Sequence, residues 1–335
     1  MLLDPNPSTT ASAPTDTLIQ SNRLVRPLGA YALHGITWRG DRLLAIDTIQ
    51  GYLLSIDPKT DDAIVLNTDQ AEDWIGATGL ALWDDELWFT CERTVYRCQF
   101  PELKPEPFVT MPYPLDGVAV WESTVYVSCQ RIGYIIIFNR NTGQRITQIS
   151  APGIGTENIS VIGDDLWVCD RVEQTVYCLD SATGDIRFSI ITPFDQPTGI
   201  AADPSLQGKT AGALYISYAN EEPYIRDDPN SPDQPLHLAF RDRTFIHPLQ
   251  FAYDHDRRLT QSNGYRIEMS YVEELSALDE INIENLEWRI AMPTSTDRQT
   301  VVSVEPVGLP YEEEIINGQR VALFRFCLLY TSDAA

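Results

Sequence analysis

Three side chains that can bind cations or move protons recur at one position of a repeat: His34, Asp116 and Glu157. Each stands immediately before the residue that opens an apolar segment, namely Gly35, Gly117 and Asn158, and Thr78 and Thr198 hold the same place before Gly79 and Gly199. Two carboxylates and an imidazole brought together make an oxygen and nitrogen donor set for a divalent cation, calcium or a similar ion. The plainer reading of the same positions is a wet, hydrogen-bonded rim with no metal and no other cofactor. A second set, Asp47, Cys91, Cys129 and Asp170, follows Gly35, Gly79, Gly117 and Asn158 at a constant spacing of twelve. It reads as a ring of reactive groups or as packing residues, and small cysteines at repeated positions favour packing.

That constant spacing points to the elements that carry both sets. LDGVAVWESTVYVSCQRIGYIIIFNRNTGQRITQIS and TENISVIGDDLWVCDRVEQTVYCLDSATGDIRFSI each read as strand, turn, strand, turn, alternating strand, D/N-x-x-T-G turn, strand. Several short strands per period of about 40 residues are the signature of radial repetition in a β-propeller. HGITWRGDRLLAIDTIQGYLLSIDPKTDDAIVLN is a further copy, TGLALWDDELWFTCERTVYRCQFPELKPEPFVTMP a degenerate one, and PTGIAADP opens another that resumes at GALYISYAN after the insertion SLQGKTA. The turns explain themselves, because Asp or Asn bonds the backbone ahead of it and Gly supplies a positive φ. Five blades can be counted and six are compatible with the pattern. Trp38, Trp83, Trp88, Trp121 and Trp167 are expected to fill the space between blades, with an aromatic ligand platform as the secondary reading.

Composition excludes several partners. Lys and Arg number 24 against 48 Asp and Glu, a net charge of −24 that repels nucleic acid phosphates and anionic membranes. No C-x-x-C pair occurs among the six cysteines, which suits a reduced compartment. No signal-peptide or membrane-length apolar run opens the chain, and a cytoplasmic location is expected. Residues 1–22 are rich in Pro, Ser, Thr and Asp, a disordered leader. Residues 23–253 are read as the propeller, with Arg23 to Leu33 expected to lend an outer strand to the last blade. From 254 the period is lost, and 254–326 reads as an incomplete antiparallel β-sandwich with strands at Tyr265–Tyr271, Leu286–Ala291, Thr300–Val307 and Arg320–Phe326.

Other candidates have ordinary readings. Gly153-Ile-Gly155 lacks the third glycine and the helix of a phosphate loop and is expected to be an inter-blade turn. Asp227, Asp228, Asn230 and Asp233 lack the spacing and closing Glu of a calcium loop. His237, His247 and His255 fit no helix-borne metal motif and are expected to be structural.

The openings HGITW, TGLALW, DGVAVW and TGIAAD, with the D-x-x-T-G turns, resemble the broad NHL and SMP-30-like propeller group. The stretch EWRIAMPTSTDRQTVVSVEPVGLP, with its Arg298-Gln299 pair and Val301-x-x-Val304-x-Pro306, resembles the sandwich segment ahead of the catalytic core in transglutaminase-like proteins. That resemblance implies the N-terminal part of such a protein, with the Cys-His-Asp core for thiol hydrolysis or acyl transfer lying beyond this chain. No catalytic residue is carried over. The final CLLYTSDAA, residues 327–335, resembles a translated sequencing adapter, which would end the native sequence near Phe326. The expected role is an interaction module that takes a protein or peptide partner through propeller loops. An autonomous metal-dependent hydrolase of lactonase type and a non-catalytic scaffold are the alternatives.

Overall fold

A computed structural model describes residues 23–226, 237–264, 269–272, 286–296 and 299–326. They form two compact units divided after Arg266. In the first unit the chain folds into consecutive four-stranded antiparallel sheets. The first contains β1 (Leu33–Arg39), β2 (Arg42–Asp47), β3 (Tyr52–Ile56) and β4 (Ala63–Val65), and the second β5 (Ala77–Trp83), β6 (Glu86–Cys91), β7 (Thr94–Gln99) and β8 (Glu106–Thr110). The third has β9 (Gly117–Trp121), β10 (Thr124–Cys129), β11 (Tyr134–Asn139) and β12 (Arg145–Ser150), and the fourth β13 (Thr156–Ile162), β14 (Asp165–Asp170), β15 (Thr175–Asp180) and β16 (Ile186–Ile191). The fifth comprises β17 (Pro197–Ala202), β18 (Ala211–Arg226), β19 (His237–Asp254) and β20 (Leu259–Ser262).

Each sheet is a meander because its strands are short and its turns have the right chemistry. Asn139 Oδ1 accepts the N–H groups of Asn141 and Thr142 at 3.0 Å, Asp180 does the same for Ala182 and Thr183, and Gly143 and Gly184 follow at φ 68° and 80°. The first sheet has no glycine there, and Asp61 takes the left-handed conformation at φ 69°. A variant of this turn begins at Asp254, whose Oδ1 accepts from Asp256 and Arg257, with Arg258 at φ 51°. It returns the chain as β20, so the fifth sheet runs past the boundary expected at 253.

The sheets are arranged around an axis. The first strands β1, β5, β9, β13 and β17 lie side by side in that order, and β17 returns to β1. Contact at the axis is backbone against backbone. A Cβ added to Gly35 would lie 2.6 Å from Gly79 C, one on Gly79 2.7 Å from Gly117 Cα, and one on Gly117 2.7 Å from Asn158 Cα. On Gly199 it would lie 2.0 Å from His34 O. Glycine opens these strands because a side chain would hold the sheets apart. This is a β-propeller arrangement.

Farther from the axis, each pair of neighbouring sheets buries its own apolar cluster. Leu44, Ile46 and Leu53 meet Leu87 and Phe89, Trp88 meets Val118 and Val127, Ile135 and Ile137 meet Leu166 and Val168, and Trp167 meets Leu214 and Phe251. The closing interface joins Leu33, Ile36 and Leu43 to Ala201, Ile246 and Val25. Trp88 and Trp167 are fully buried, as expected of inter-sheet fillers. Trp74, on a short 3-10 segment (Thr68–Trp74), also fills this space and stacks on Phe89 at 4.0 Å.

Val25 exchanges two 2.8 Å backbone hydrogen bonds with Ile246, and Arg23 bonds the carbonyls of Pro58 and Lys59 and the Asp61 carboxylate. The segment from Arg23 thus ties the fifth sheet to the first through a single bridge. It does not form the outer strand expected there, because Pro27 has no N–H with which to continue the ladder.

The second unit contains a three-stranded antiparallel sheet of β21 (Leu286–Ala291), β22 (Glu312–Ile316) and β23 (Gln319–Phe326), in the order β21-β23-β22. β22 and β23 join through Asn317 and Gly318, both at positive φ, the two-residue turn that suits strand twist. One face carries a ladder in which Arg325 engages Glu287 and Glu312, and Arg289 engages Glu287 and Glu314. Thr300–Val307 is not a strand: no described strand lies beside it, and Val302 and Val307 are 83% and 96% exposed. Residues 269–271 of the Tyr265–Tyr271 candidate are likewise irregular, and its first four residues lie outside the described ones.

The axial glycines give a direct test. Gly79→Ala is expected to lower stability by more than about 3 kcal/mol, since backbone cannot move aside as a side-chain tip can. Gly264→Ala, with nothing within 4 Å of the added carbon, should change it by less than about 0.5 kcal/mol. Urea unfolding midpoints of the two variants measure the contrast.

Candidate functional site

The mouth of the ring is built by the residues that precede the axial contact. His34 and Thr78 lie in β1 and β5, Asp116 adjoins β9, Glu157 lies in β13 and Thr198 in β17, all in one register. The second strand of each sheet runs back antiparallel and so delivers its last residues to the same end.

Part of this polar apparatus joins sheets. Thr90 Oγ1 is within 3.3 Å of Asp116 O, Ser128 Oγ donates to Glu157 O at 2.9 Å, and Ser217 Oγ donates to His34 O at 2.6 Å. Thr90 and Ser128 lie just before the last residue of their sheet's second strand, Ser217 holds the same register within the longer β18, and each reaches the carbonyl of the next sheet's mouth residue. Thr198 Oγ1 bonds Leu33 O at 2.6 Å, and Asn158 Nδ2 reaches Thr78 O at 3.0 Å, linking the fourth sheet to the second.

The set Asp47, Cys91, Cys129 and Asp170 has one mechanical role. Asp47 accepts from Tyr31 N at 2.6 Å, and Asp170 from Gly155 N at 2.8 Å. Cys129 donates to Pro114 O at 3.1 Å and Cys91 to Ile75 O at 3.5 Å. Acid or thiol, each residue fastens the loop entering its own sheet to the end of the second strand. Both aspartates are fully buried and also accept N–H groups of the following turn. The Gly155 N–H is thereby engaged with a carboxylate, and the Gly153–Gly155 segment is an inter-sheet turn. Burial raises the thiol pKa at Cys91 and Cys129, pushes Cys98 up to about 12, and lifts Cys169 and Cys178 as well. None of these thiols is set up as a nucleophile, which needs the thiolate.

The three mouth side chains have distinct electrostatics. Burial, helped by the Arg171 charge, lowers His34 to about 4, so its imidazole is neutral at neutral pH, and its Nδ1 is buried with no hydrogen-bond partner among the described residues. Burial raises Asp116 to about 7 against the opposing pull of the Gln130 N–H, which it accepts at 2.6 Å, and Glu157 adds repulsion. Glu157 is also raised by burial, although Arg171 stands 3.5 Å away and partly offsets it. Arg171 in turn bonds Gln196 Oε1 at 2.7 Å. Arg171, Gln196 and Gln130 belong to the mouth although no sequence motif marked them. The available signal was position, since Gln130 and Arg171 directly follow the residues at spacing twelve.

Chemically, the mouth offers a neutral imidazole, a carboxyl group that changes charge near neutrality, and a carboxylate held by a guanidinium. Among the described residues, no group of three or more His, Cys, Asp and Glu side chains is placed to hold a metal ion. His247 is buried in the fifth sheet beside Phe194 and lowered to about 4 by burial, and His255 lies on an exposed turn against Tyr253. The His237 side chain and the Asp227–Asp233 acids lie outside the described residues. Trp83 and Trp121 meet edge to face at 5.1 Å at the opposite ends of β5 and β9.

The sign of the Asp116 shift sets a pH dependence. A carboxyl raised in the folded state binds its proton more tightly there, so stability falls as pH rises from about 4 to about 7 and then levels off. Asp116→Asn should therefore raise stability above pH 7, on the order of 2 kcal/mol, and change little at pH 4. Thermal unfolding at pH 4.5 and 8 reads the difference, and an equal effect at both would contradict the assignment.

No protein-family model matches the chain, and no curated protein matches it. Among solved structures, it is similar to the glutaminyl cyclase of Myxococcus xanthus at 13% identity and TM-score 0.46, covering 67% of this chain and 95% of the other. It is also similar to a calcium-binding protein, regucalcin, from Agrobacterium tumefaciens strain C58, at 11% identity and TM-score 0.44, covering 69% and 94%. The computationally designed Ika4 protein shares 13% identity at TM-score 0.34, with 48% and 98% covered. At these scores the likenesses say nothing of function.

Proposed function

We propose that this chain is the interaction module of a larger protein, a five-bladed propeller that takes a protein or peptide partner through its loops, followed by part of a transglutaminase-like sandwich. The observation that carries this reading is where the thiols sit. The described cysteines act as loop fasteners or core residues with raised pKa values, so none of them is set up as the nucleophile that a transglutaminase-like activity would need. Two further features support it. Five apolar clusters account for five inter-sheet interfaces, including the one that returns to the first sheet. The second unit leaves Met269, Val272, Val302 and Val307, all on irregular stretches outside its sheet, at least three-quarters exposed, apolar side chains open to a partner.

Sequencing the source gene beyond the codon for Phe326 tests the proposal. An open frame continuing into a core with Cys, His and Asp is the expected result, and a frame that ends at Ala335 would overturn the parent-protein reading.

A second reading, a divalent-cation hydrolase of the lactonase type, is favoured by one observation, the raised Asp116 carboxyl with the Glu157 charge near it at the mouth. It predicts calorimetric calcium binding that Asp116→Asn and Glu157→Gln both abolish. Absence of heat with calcium, magnesium, manganese and zinc would exclude it.

A further inference from the structure

The hairpin of the fifth sheet is much longer than its neighbours. β18 and β19 stay in register from Ala211↔Ala252 to Arg226↔His237, whereas β17 reaches only to Tyr218 and β20 pairs only from Phe251 to Asp254. The eight pairs from Ala219↔Thr244 to Arg226↔His237 therefore continue as a two-stranded ribbon, about 27 Å long at the usual rise per residue. Tyr218 pairs with Pro197, at the start of β17, so the ribbon leaves the ring at the same end as His34, Asp116 and Glu157.

The outer edge of β19 has a definite polarity. Ile246 exchanges both of its backbone hydrogen bonds with Val25, and farther along the Asn263 side chain takes Gln250 N at 2.8 Å and Pro248 O at 3.1 Å. The even-numbered residues of β19 thus point their N–H and C=O groups away from β18, and β20 covers the last of them. By strand periodicity, Leu238, Phe240, Asp242 and Thr244 present theirs on the same edge. The chain's own occupant stops short of them. In the antiparallel register Pro27 faces Thr244 and has no N–H to give, and the chain turns away at Leu28 and Gly29, the latter at φ 79°. Among the described residues no strand pairs with this stretch.

We propose that the outer edge of β19 from Leu238 to Thr244 is a strand-addition site, where a basic, extended segment of another protein continues the pairing that Val25 begins. A bare two-stranded ribbon is marginal in water, and a third strand is what would stabilise it. Net charge selects the partner. The paired residues 219–226 and 237–244 carry three acidic and three basic residues and so oppose neither sign, while the whole chain carries a net charge of −24. A second copy of this chain would bring the same negative charge, whereas a segment with Lys or Arg complements it.

The inference rests on the reading of the chain as an interaction module, yet the two fail separately: the gene sequence decides the parent protein, and amide exchange decides the edge. The experiment is residue-resolved hydrogen exchange on the full chain, alone and with the peptide Lys-Val-Lys-Val-Lys-Val-Lys or the same peptide N-methylated at alternate residues on either edge. Alone, the amides of Leu238, Phe240, Asp242 and Thr244 should exchange rapidly. The unmodified peptide should slow them at least tenfold, and a peptide methylated on its pairing edge should not. Asp242→Pro, which removes an outward N–H, should weaken peptide binding at least tenfold without moving the unfolding midpoint. Protection already present in the chain alone, equal binding by both methylated peptides, or protection confined to other residues would each overturn the proposal.

Discussion

The first unit depends on backbone meeting backbone around the axis. Gly35, Gly79, Gly117 and Gly199 allow neighbouring first strands to approach within distances that no Cβ tolerates. Once this spacing is set, the apolar residues farther out can interlock, and each sheet presents its mouth residue at the same height. The fourth sheet departs from the rule with Asn158, which uses its amide to reach Thr78 O in the second sheet. Among the described residues, no other sheet has such a cross-ring side-chain tie.

The same close approach shapes the chemistry of the mouth. Side chains that precede the axial contacts are held where water is scarce, so desolvation leads the shift at His34, Asp116 and Glu157 alike. Arg171 directly follows a return strand, and its charge relieves Glu157 while adding to the burial that keeps His34 neutral. The loop fasteners work by complementary means at one position: aspartate accepts an N–H and cysteine donates to a carbonyl. Either group secures the incoming loop, which is why acid and thiol can replace one another there with no change of architecture.

Much of this was legible because repeats report on themselves. The constant spacing from Gly35 to Asp47 and from Gly117 to Cys129 located the first strands and the mouth residues, and the Asn139 and Asp180 turns located the hairpins. What escaped detection depended on partners distant in sequence or on substituted turn residues. Arg258 stands where glycine would have announced β20, Trp74 fills an interface from a segment without strand periodicity, and the charged run Glu312–Ile316 is a strand only because Arg320 and Arg325 lie beside it. Thr300–Val307 shows the converse, alternation without a neighbour to pair with. For the mouth, residue type and register indicated His34, Asp116 and Glu157, and Gln130 and Arg171 could be reached by their position after the spacing-twelve residues, whereas Gln196 could be found only from the crossing of adjacent sheets.

The bridge between Val25 and Ile246 has a consequence for synthesis on the ribosome. The two residues are 221 positions apart, so the inner flank of the first sheet stays uncovered while four more sheets are made. At 5–20 residues per second that interval is on the order of 10–40 s, during which Leu33, Ile36 and Leu43 lack their final neighbours. The nascent chain passes through an open arc with two adhesive ends, and other proteins in the cell compete for them until the fifth sheet emerges.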